Sequence, residues 1–361
     1  MRGLILIFVV AMLLFSTNIF GQGEAAVPFL LIAPGARAGG MGEAGVAYAN
    51  DATAIYWNPA GLAFQYEDPE VDARREISLM HSKWLPQFNF NDLWYDYMAG
   101  RFYVDDLGMF GASITYMNLG ENVHTDDQGN MLGTFDSYEY AITGSYATKL
   151  KPNLGVGVNL KYINSRLTPT LNVGTEETDG TGYSFAIDMG VLWIPAYAFL
   201  NNRLSVGANL ANVGPKITYN DKDQADPLPT NLRVGFGYKI LDSEYNRLTA
   251  VYDLNRMLVY REGESSDNVF KAAFYSAWFK GSLNERFRRF THSLGLEYWY
   301  GNLIALRAGY FYEDENYGAR KFATFGGGLE YSIFAVDFSY IWAEQDHPLG
   351  DTMRFSIAVK F

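Results

Sequence analysis

Residues 33–64 read APGARAGGMGEAGVAYANDATAIYWNPAGLAF, and the rest of the 361-residue chain has a different texture. The stretch is crowded with Gly and Ala and contains Asn58-Pro59-Ala60-Gly61. Small residues let one backbone approach another closely, Gly supplies dihedrals that other residues avoid, and Pro59 with Gly61 fixes a turn. Val46, Ala47, Ile55, Tyr56 and Trp57 are too apolar for a loop that merely crosses solvent. The segment therefore reads as a plug packed inside something, with a Gly-rich surface loop leading into a helix as the plainer alternative.

What would enclose it follows from about residue 75 onward. Leu154, Val156, Val158, Leu160 and Tyr162 alternate with Gly155, Gly157, Asn159 and Lys161, and the same period recurs over 185–193, 232–240, 294–300, 306–312, 334–342 and 353–361. One face is apolar and aromatic, the other small or charged. A soluble β-sandwich also alternates, but it seldom carries so many large aromatics on its exposed face. Phe, Trp and Tyr make up 16% of the chain, as expected of aromatic girdles at two membrane interfaces. The expectation is an all-β, transmembrane antiparallel barrel of about fourteen strands, each of the ~9–11 residues that cross a bilayer at a tilt.

A barrel that wide would leak if empty. The plug thus has a physical task, and Gly207, Gly235, Gly237, Gly328, Asp188 and Asp253 on the inner face would give it room and partners. Simple lumen polarity is the plainer account of those two carboxylates. The last segment, 352–361, ends on Phe361 and would close the sheet, removing the edge that otherwise templates aggregation.

The remaining bounds agree. Residues 1–21 look like a secretory signal, with Arg2, an apolar run over 4–15 and Gly21 before Gln22. That run is shorter than the ~20 residues of a spanning helix. The domain expectation is a signal peptide at 1–21, plug and link at 22–75, and barrel at 76–361. No Cys is present, so nothing is stapled by disulfides. Forty acidic against 28 basic residues, a net −12, argues against a phosphate-tracking nucleic-acid surface. Mean hydropathy of −0.10 speaks against a helical membrane protein but not against a barrel, whose inner face dilutes the average.

Chemistry-bearing motifs are missing. His81, His124, His292 and His347 are scattered, and no metal-ligand spacing, nucleophile elbow or phosphate cradle occurs. No catalytic residue, metal or cofactor is expected. The acidic runs Asp126-Asp127 and Glu176-Glu177 lack EF-hand spacing and read as solvated loops. Long connections are expected at 120–136, 166–180, 215–230 and 261–291, and short ones at 149–153 and 300–302. The longest carries Phe270, Phe274, Trp278 and Phe279 on potential short amphipathic helices, and such a loop must cover the barrel mouth or meet a partner.

Two resemblances sharpen this. Gly35, Arg37, Met41, Gly42, Ala44, Val46 and then Trp57, Asn58, Pro59, Gly61 and Leu62 resemble the N-terminal hatch of outer-membrane barrels related to the long-chain fatty-acid (FadL-like) transporters. HSKWLP at 81–86, DLWYDYMAG at 92–100, LEYWYGNLIALRAGYFYE at 296–313 and RKFATFGGG at 320–328 resemble the PorV family of the type IX secretion system. The second resemblance implies a non-enzymatic, integral outer-membrane component. It would bind C-terminal signal domains of cargo leaving the large translocon barrel and pass them to the surface sortase and attachment complex. It also implies Phe361 as the signal read by the insertion machinery. The first resemblance implies an alternative, transport of hydrophobic small molecules, which predicts an apolar pocket between residues 33–64 and the lumen. A lipid-modifying hydrolase is a third reading, and it would need an acid or Ser beside His81 or His292.

Overall fold

The computed structural model describes residues 25–361 except 67–73, 89, 91, 126–127, 169–170, 174–175, 179, 198–199, 201, 220–224, 263–264 and 346, with side chains also left out over 171–179. The expected signal peptide, most of the link and the Asp126-Asp127 and Glu176-Glu177 side chains lie outside the described residues.

Alternation becomes fourteen antiparallel strands: β1 Arg75–Lys83, β2 Leu93–Val104, β3 Gly108–Thr125, β4 Met131–Lys151, β5 Leu154–Arg166, β6 Thr181–Trp193 and β7 Leu204–Val213. The second half comprises β8 Asn231–Asp242, β9 Asn246–Met257, β10 Phe290–Tyr300, β11 Ile304–Tyr312, β12 Lys321–Tyr331, β13 Phe334–Ala343 and β14 Met353–Lys360. They form one closed barrel in sequence order, with β14 paired to β1 from Glu76↔Lys360 to His81↔Phe355. Closure leaves no unpaired sheet edge in the bilayer, where an unsatisfied backbone group has no water to bond. Beyond β14, Phe361 exchanges both backbone hydrogen bonds with Arg75, at 2.8 and 2.9 Å.

The period of two sorts the side chains. In β1 and β6 buried and exposed residues alternate nearly without fault. Apolar residues such as Ile142, Leu160, Phe236, Leu306 and Phe355 face outward and are exposed, the reverse of a soluble protein and the expected state of a wall solvated by lipid. Near the loop end, Tyr116, Tyr138, Tyr140, Tyr162 and Phe185 run across β3–β6 as an aromatic girdle, successive ring centroids 6.2, 6.3, 6.2 and 5.4 Å apart.

Short turns join the strands at one end, among them 105–107, 152–153, 243–245 and 332–333, and long connections at the other. The expected 120–136 loop is mostly sheet: β3 and β4 run to 18 and 21 residues, so this hairpin projects past the rest of the wall. Polar residues there still alternate along paired strands, which composition alone disguised as a loop. The 214–230 connection turns inward. Its Ile217 and Leu228 are buried against Phe29 and Leu30, and Tyr219 donates to Ser165 at 2.8 Å.

The plug occupies the lumen. It begins at the loop end, where Ala26 N–H bonds Pro227 O at 3.0 Å, and descends through a 3₁₀ turn Pro28–Leu31, α1 Ala36–Gly39, α2 Ala54–Trp57 and a second 3₁₀ turn Pro59–Phe64. At the turn end Phe64 and Tyr66 lie under Lys149, 4.9 and 5.3 Å from its ammonium. The plug thus includes Val27–Leu30, apolar residues that precede the Gly-rich signature.

Candidate functional site: the plug seam and the outer helical loop

The seam between plug and wall is built from glycine on both sides. Gly42 sits at φ +66°, and a Cβ there would fall 2.7 Å from Leu294 O and Tyr310 N. Across the seam, a Cβ on Gly295 would lie 2.5 Å from Met41 O, and one on Gly207 would lie 2.5 Å from Val46 O. Gly157 and Gly309 meet plug backbone in the same way, Gly235 faces Ala47 N, and Gly190 meets the Asn58 and Pro59 side chains. A side chain at these positions would lift the plug off the wall.

Close backbone approach leaves amides that need acceptors, and the wall supplies them. Asp253 accepts from Gly45 and Val46 N–H at 2.7 and 2.9 Å, Thr324 from Gly42 at 2.8 Å, Ser356 from Ala36 at 2.8 Å and Glu76 from Ala52 at 3.0 Å. Asp253 is therefore a plug anchor as well as a polar lumen residue. Asp188 instead joins Lys161, Asn159 and the Asn212 amide within the wall.

The signature residues have distinct positions. Asn58, fully buried, donates to Val46 O and Val191 O at 3.0 Å each and accepts from Ala60 N–H at 3.1 Å, capping the turn that Pro59 starts. Gly61 packs against Ala49, Gly35 sits at φ +85° ahead of α1, and Met41 packs with Ala44 and Val251. Trp57 is buried with its ring against Gly45 and Tyr56 edge-on at 5.1 Å.

Arg37 carries the strongest tie. Its Nε and Nη2 donate to Glu297 at 2.8 Å each, while Asn50 and Asp51 take Nη1. Glu297 also accepts from Arg307 at 2.7 Å, and Arg307 donates to Asp337 at 2.6 Å. A second tie joins Arg354 to plug residue Glu43 at 2.5 Å. Sequence reading missed Glu76, Glu297, Arg307, Thr324 and Arg354. Each lies on the inward phase of its strand, and that phase was the available signal.

Spaces around the plug are small. One of about 240 Å³ at the turn end is lined by Ala47, Asn50, Phe64, Leu192, Arg203 and Lys239. Two others measure about 60 and 40 Å³, the first beside Tyr56 toward the loop end and the second between Arg37 and β11–β14. A larger recess, about 820 Å³, lies against the outward face of the wall, bounded by Leu160, Tyr162, Phe185, Ile187, Pro215 and Phe270.

Phe270 belongs to the outer loop, where residues 269–279 form a helix with a π turn at Ala272–Ser276, followed by a capped helix at Leu283–Arg288. Its amphipathicity is inverted. Ala272, Ala273, Ser276 and Ala277 pack inward, while Phe270, Phe274 and Phe279 stay 66, 71 and 58% exposed. Trp278 differs from these: its indole donates to Ala273 O at 2.6 Å and lies 4.8 Å from the Arg256 guanidinium. Asp267 holds the helix start through Lys271 and Ser276 at 2.7 and 2.6 Å.

His81 has an acidic neighbour, Asp96 at 2.7 Å, on the outward face of β1–β2. A triad also needs a nucleophile on the other ring nitrogen, and the described residues place none in hydrogen-bond contact there. His292 bonds Tyr252 OH at 2.7 Å.

Comparison with known proteins accords with this architecture. The P. putida toluene transporter TodX superposes with a TM-score of 0.53 at 11% identity, covering 91% of this chain and 99% of its own. The Ralstonia pickettii toluene transporter TbuX gives 0.50 at 14%, covering 91 and 98%, and a Pseudomonas aeruginosa FadL homologue gives 0.51 at 14%, covering 90 and 98%. At such identities the likeness is one of fold alone, a closed antiparallel barrel. No curated protein matches the chain. The family model described as type IX secretion system protein PorV matches residues 22–263, spanning the plug and the first nine strands, and the chain belongs to the PorV family.

Proposed function

We propose that this outer-membrane component of the type IX secretion system binds the C-terminal signal domains of cargo emerging from the large translocon barrel and passes them to the surface sortase and attachment complex. Family membership supports the secretion role. The observation that carries the docking reading is the outer helical loop, whose exposed face is Phe270, Phe274 and Phe279 while its buried face is Ala and Ser. A helix with that orientation buries its large apolar side chains only when another apolar surface meets it. Packing of the plug against wall glycines favours a stopped lumen and a non-catalytic, scaffolding role. We further propose that residues 22–75 act as plug and link, residues 76–361 as barrel, and Phe361 as the insertion signal.

The test is a triple substitution, Phe270→Ser, Phe274→Ser and Phe279→Ser, in the native host. The variant is expected to insert normally, lose co-purification with translocon and cargo, and leave cargo unprocessed. Wild-type recovery of both partners and normal surface delivery would sink the docking role.

A second reading, passage of hydrophobic small molecules beside the plug, draws support from the 240 Å³ space lined partly by Ala47, Phe64 and Leu192. Radiolabelled toluene uptake into proteoliposomes, compared with plug-deleted and empty vesicles, separates the two readings.

A further inference from the structure

Glycines on the inward phase of the wall make room for the plug, but Gly144 on β4 faces the other way. It shares the outward face with Ile142 and Tyr146 and pairs with Ala112 on β3 and Leu160 on β5, and a Cβ there would meet nothing within 4 Å. No described residue needs that space, so the missing side chain hollows the outer surface. Nearby, β7 stops following β6. A bulge shifts their register between Ile187 and Met189, and Asn212 takes φ +59°. Past Val213 the chain turns off through Gly214 and Pro215, held where Ser184 Oγ–H donates to Pro215 O at 3.0 Å.

The hollow and the bend together form the outward recess of about 820 Å³. Ile142, Leu160 and Ile187 line it, Tyr162 and Phe185 of the aromatic girdle flank it, and Phe270 of the outer loop bounds it while staying 66% exposed. Lys161, the charged residue at its border, turns its ammonium inward to Asp188 at 3.1 Å and Asn212 at 2.6 Å. Position decides the occupant. The recess opens on the face that the bilayer solvates, at the height of the loop-end girdle, so it is continuous with the lipid-contacting wall and belongs to the outer leaflet. Left empty, a space of this size would forfeit the dispersion contacts of its lining.

We propose that the recess binds an acyl chain of the outer-leaflet lipid, which in an outer membrane is lipopolysaccharide, gripping it between the wall and the start of the outer loop. Elsewhere the wall carries large outward side chains and offers lipid only a border. Here Gly144 and the turn at Gly214 let a chain sink in, so that it touches Leu160, Ile187 and Phe270 together. Lipid tails are as apolar as Leu, so the grip comes from the number of contacts and owes nothing to escape from water. The assignment gives Phe270 a lipid contact on its wall side and leaves Phe274 and Phe279 to a protein partner. It therefore stands apart from the docking role.

The test compares the full-length protein with Gly144→Phe and Gly144→Ala, each purified from native outer membranes in mild detergent and washed to constant lipid content. Retained lipid is identified and counted by mass spectrometry. Wild type and Gly144→Ala should keep lipopolysaccharide. Gly144→Phe, whose ring takes the place and the contacts of the chain, should keep about fivefold less or lower still, with its heat-modifiable mobility unchanged. Leu160→Trp on the same face replaces it if folding fails. Equal retention in a folded variant, a phospholipid in place of lipopolysaccharide, or no lipid on wild type would each overturn the inference. Since the chain has no Cys, a photoreactive maleimide on Leu160→Cys also labels whatever fills the recess in intact membranes, and a cross-linked polypeptide in place of glycolipid would refute the proposal. Recovery of translocon and cargo reads the docking role and lipid retention reads this one, so either can fail alone.

Discussion

Replacing Glu297 with Ala removes the carboxylate on which plug and wall converge. Its oxygens accept from Arg37 twice at 2.8 Å and from Arg307 at 2.7 Å, and the side chain has no solvent exposure. Removing one partner of a buried pair costs about 3–5 kcal/mol, because the other charge is left behind. Here each guanidinium keeps a second carboxylate, Asp51 at 3.3 Å for Arg37 and Asp337 at 2.6 Å for Arg307. That remainder places the expected loss at the lower end, about 3 kcal/mol of plug docking. At about 1.4 kcal/mol per decade, the released plug population rises roughly a hundredfold. A protease that cuts only the released plug reads that population, and conductance across a planar bilayer reads the lumen it opens. The decisive form is a double-mutant cycle with Arg37→Met. If the two residues act as one clasp, the double variant loses clearly less than the sum of the singles, with coupling above about 1 kcal/mol. Additivity within about 0.5 kcal/mol, or wild-type protection in Glu297→Ala, would refute the reasoning.

Other outcomes follow from the same contacts. Gly295→Val places a Cβ 2.5 Å from Met41 O, and since backbone cannot rotate away, overpacking should cost about 3 kcal/mol and raise protease cleavage of the plug. Asn58→Ala leaves Val46 O, Val191 O and Ala60 N–H without their side-chain partner, and at ~1–3 kcal/mol per stranded group the same cleavage should rise at least tenfold. Asn58→Asp should be no better, because it aims a carboxylate at two carbonyls. Hydrogen bonds from Lys271 and Ser276 hold Asp267 below its usual carboxylate pKa. A depressed acid stabilises at pH above its unfolded value near ~4 and loses that contribution as pH falls through the folded value. Amide exchange over residues 268–280 should therefore accelerate between neutral pH and about pH 3 after correction for the intrinsic rate, and an unchanged profile would remove Asp267 as the tether.

The fold was legible because dyad alternation carries its own meaning. Leu154 to Tyr162 and Phe185 to Trp193 alternate so strictly that only the solvent for the apolar face was open, and the exposed aromatics answered it. Residues 120–136 were misread as a loop because Gly, Asp, Asn and Glu together make up more than half of them, whereas the backbone pairing of β3 with β4 depends on register more than on side-chain type. The plug signature located the segment but not its partners. Arg37 is visible in sequence, yet Glu297 lies 260 residues away, and nothing local links them. Val27–Leu30 falls within the expected plug-and-link segment but outside the Gly-rich signature, and its burial depends on Ile217 and Leu228 folding back into the mouth.

Those long separations have a temporal meaning. The plug precedes every strand in the chain. Glu76 on β1 and Asp253 on β9 hold plug amides, but the ion-paired groups of the clasp come late: Glu297 on β10, its partner Arg307 on β11 with Asp337 on β13 behind it, and Arg354 on β14, the last 311 residues from Glu43. Contacts of such separation form slowly, since closure entropy must be met before they reward it. The segment made first is therefore the segment settled last, and its charges cannot all be matched in an unfinished sheet. Seating of the plug reports that the fourteenth strand has arrived, so a sealed lumen and a completed wall are a single event in assembly.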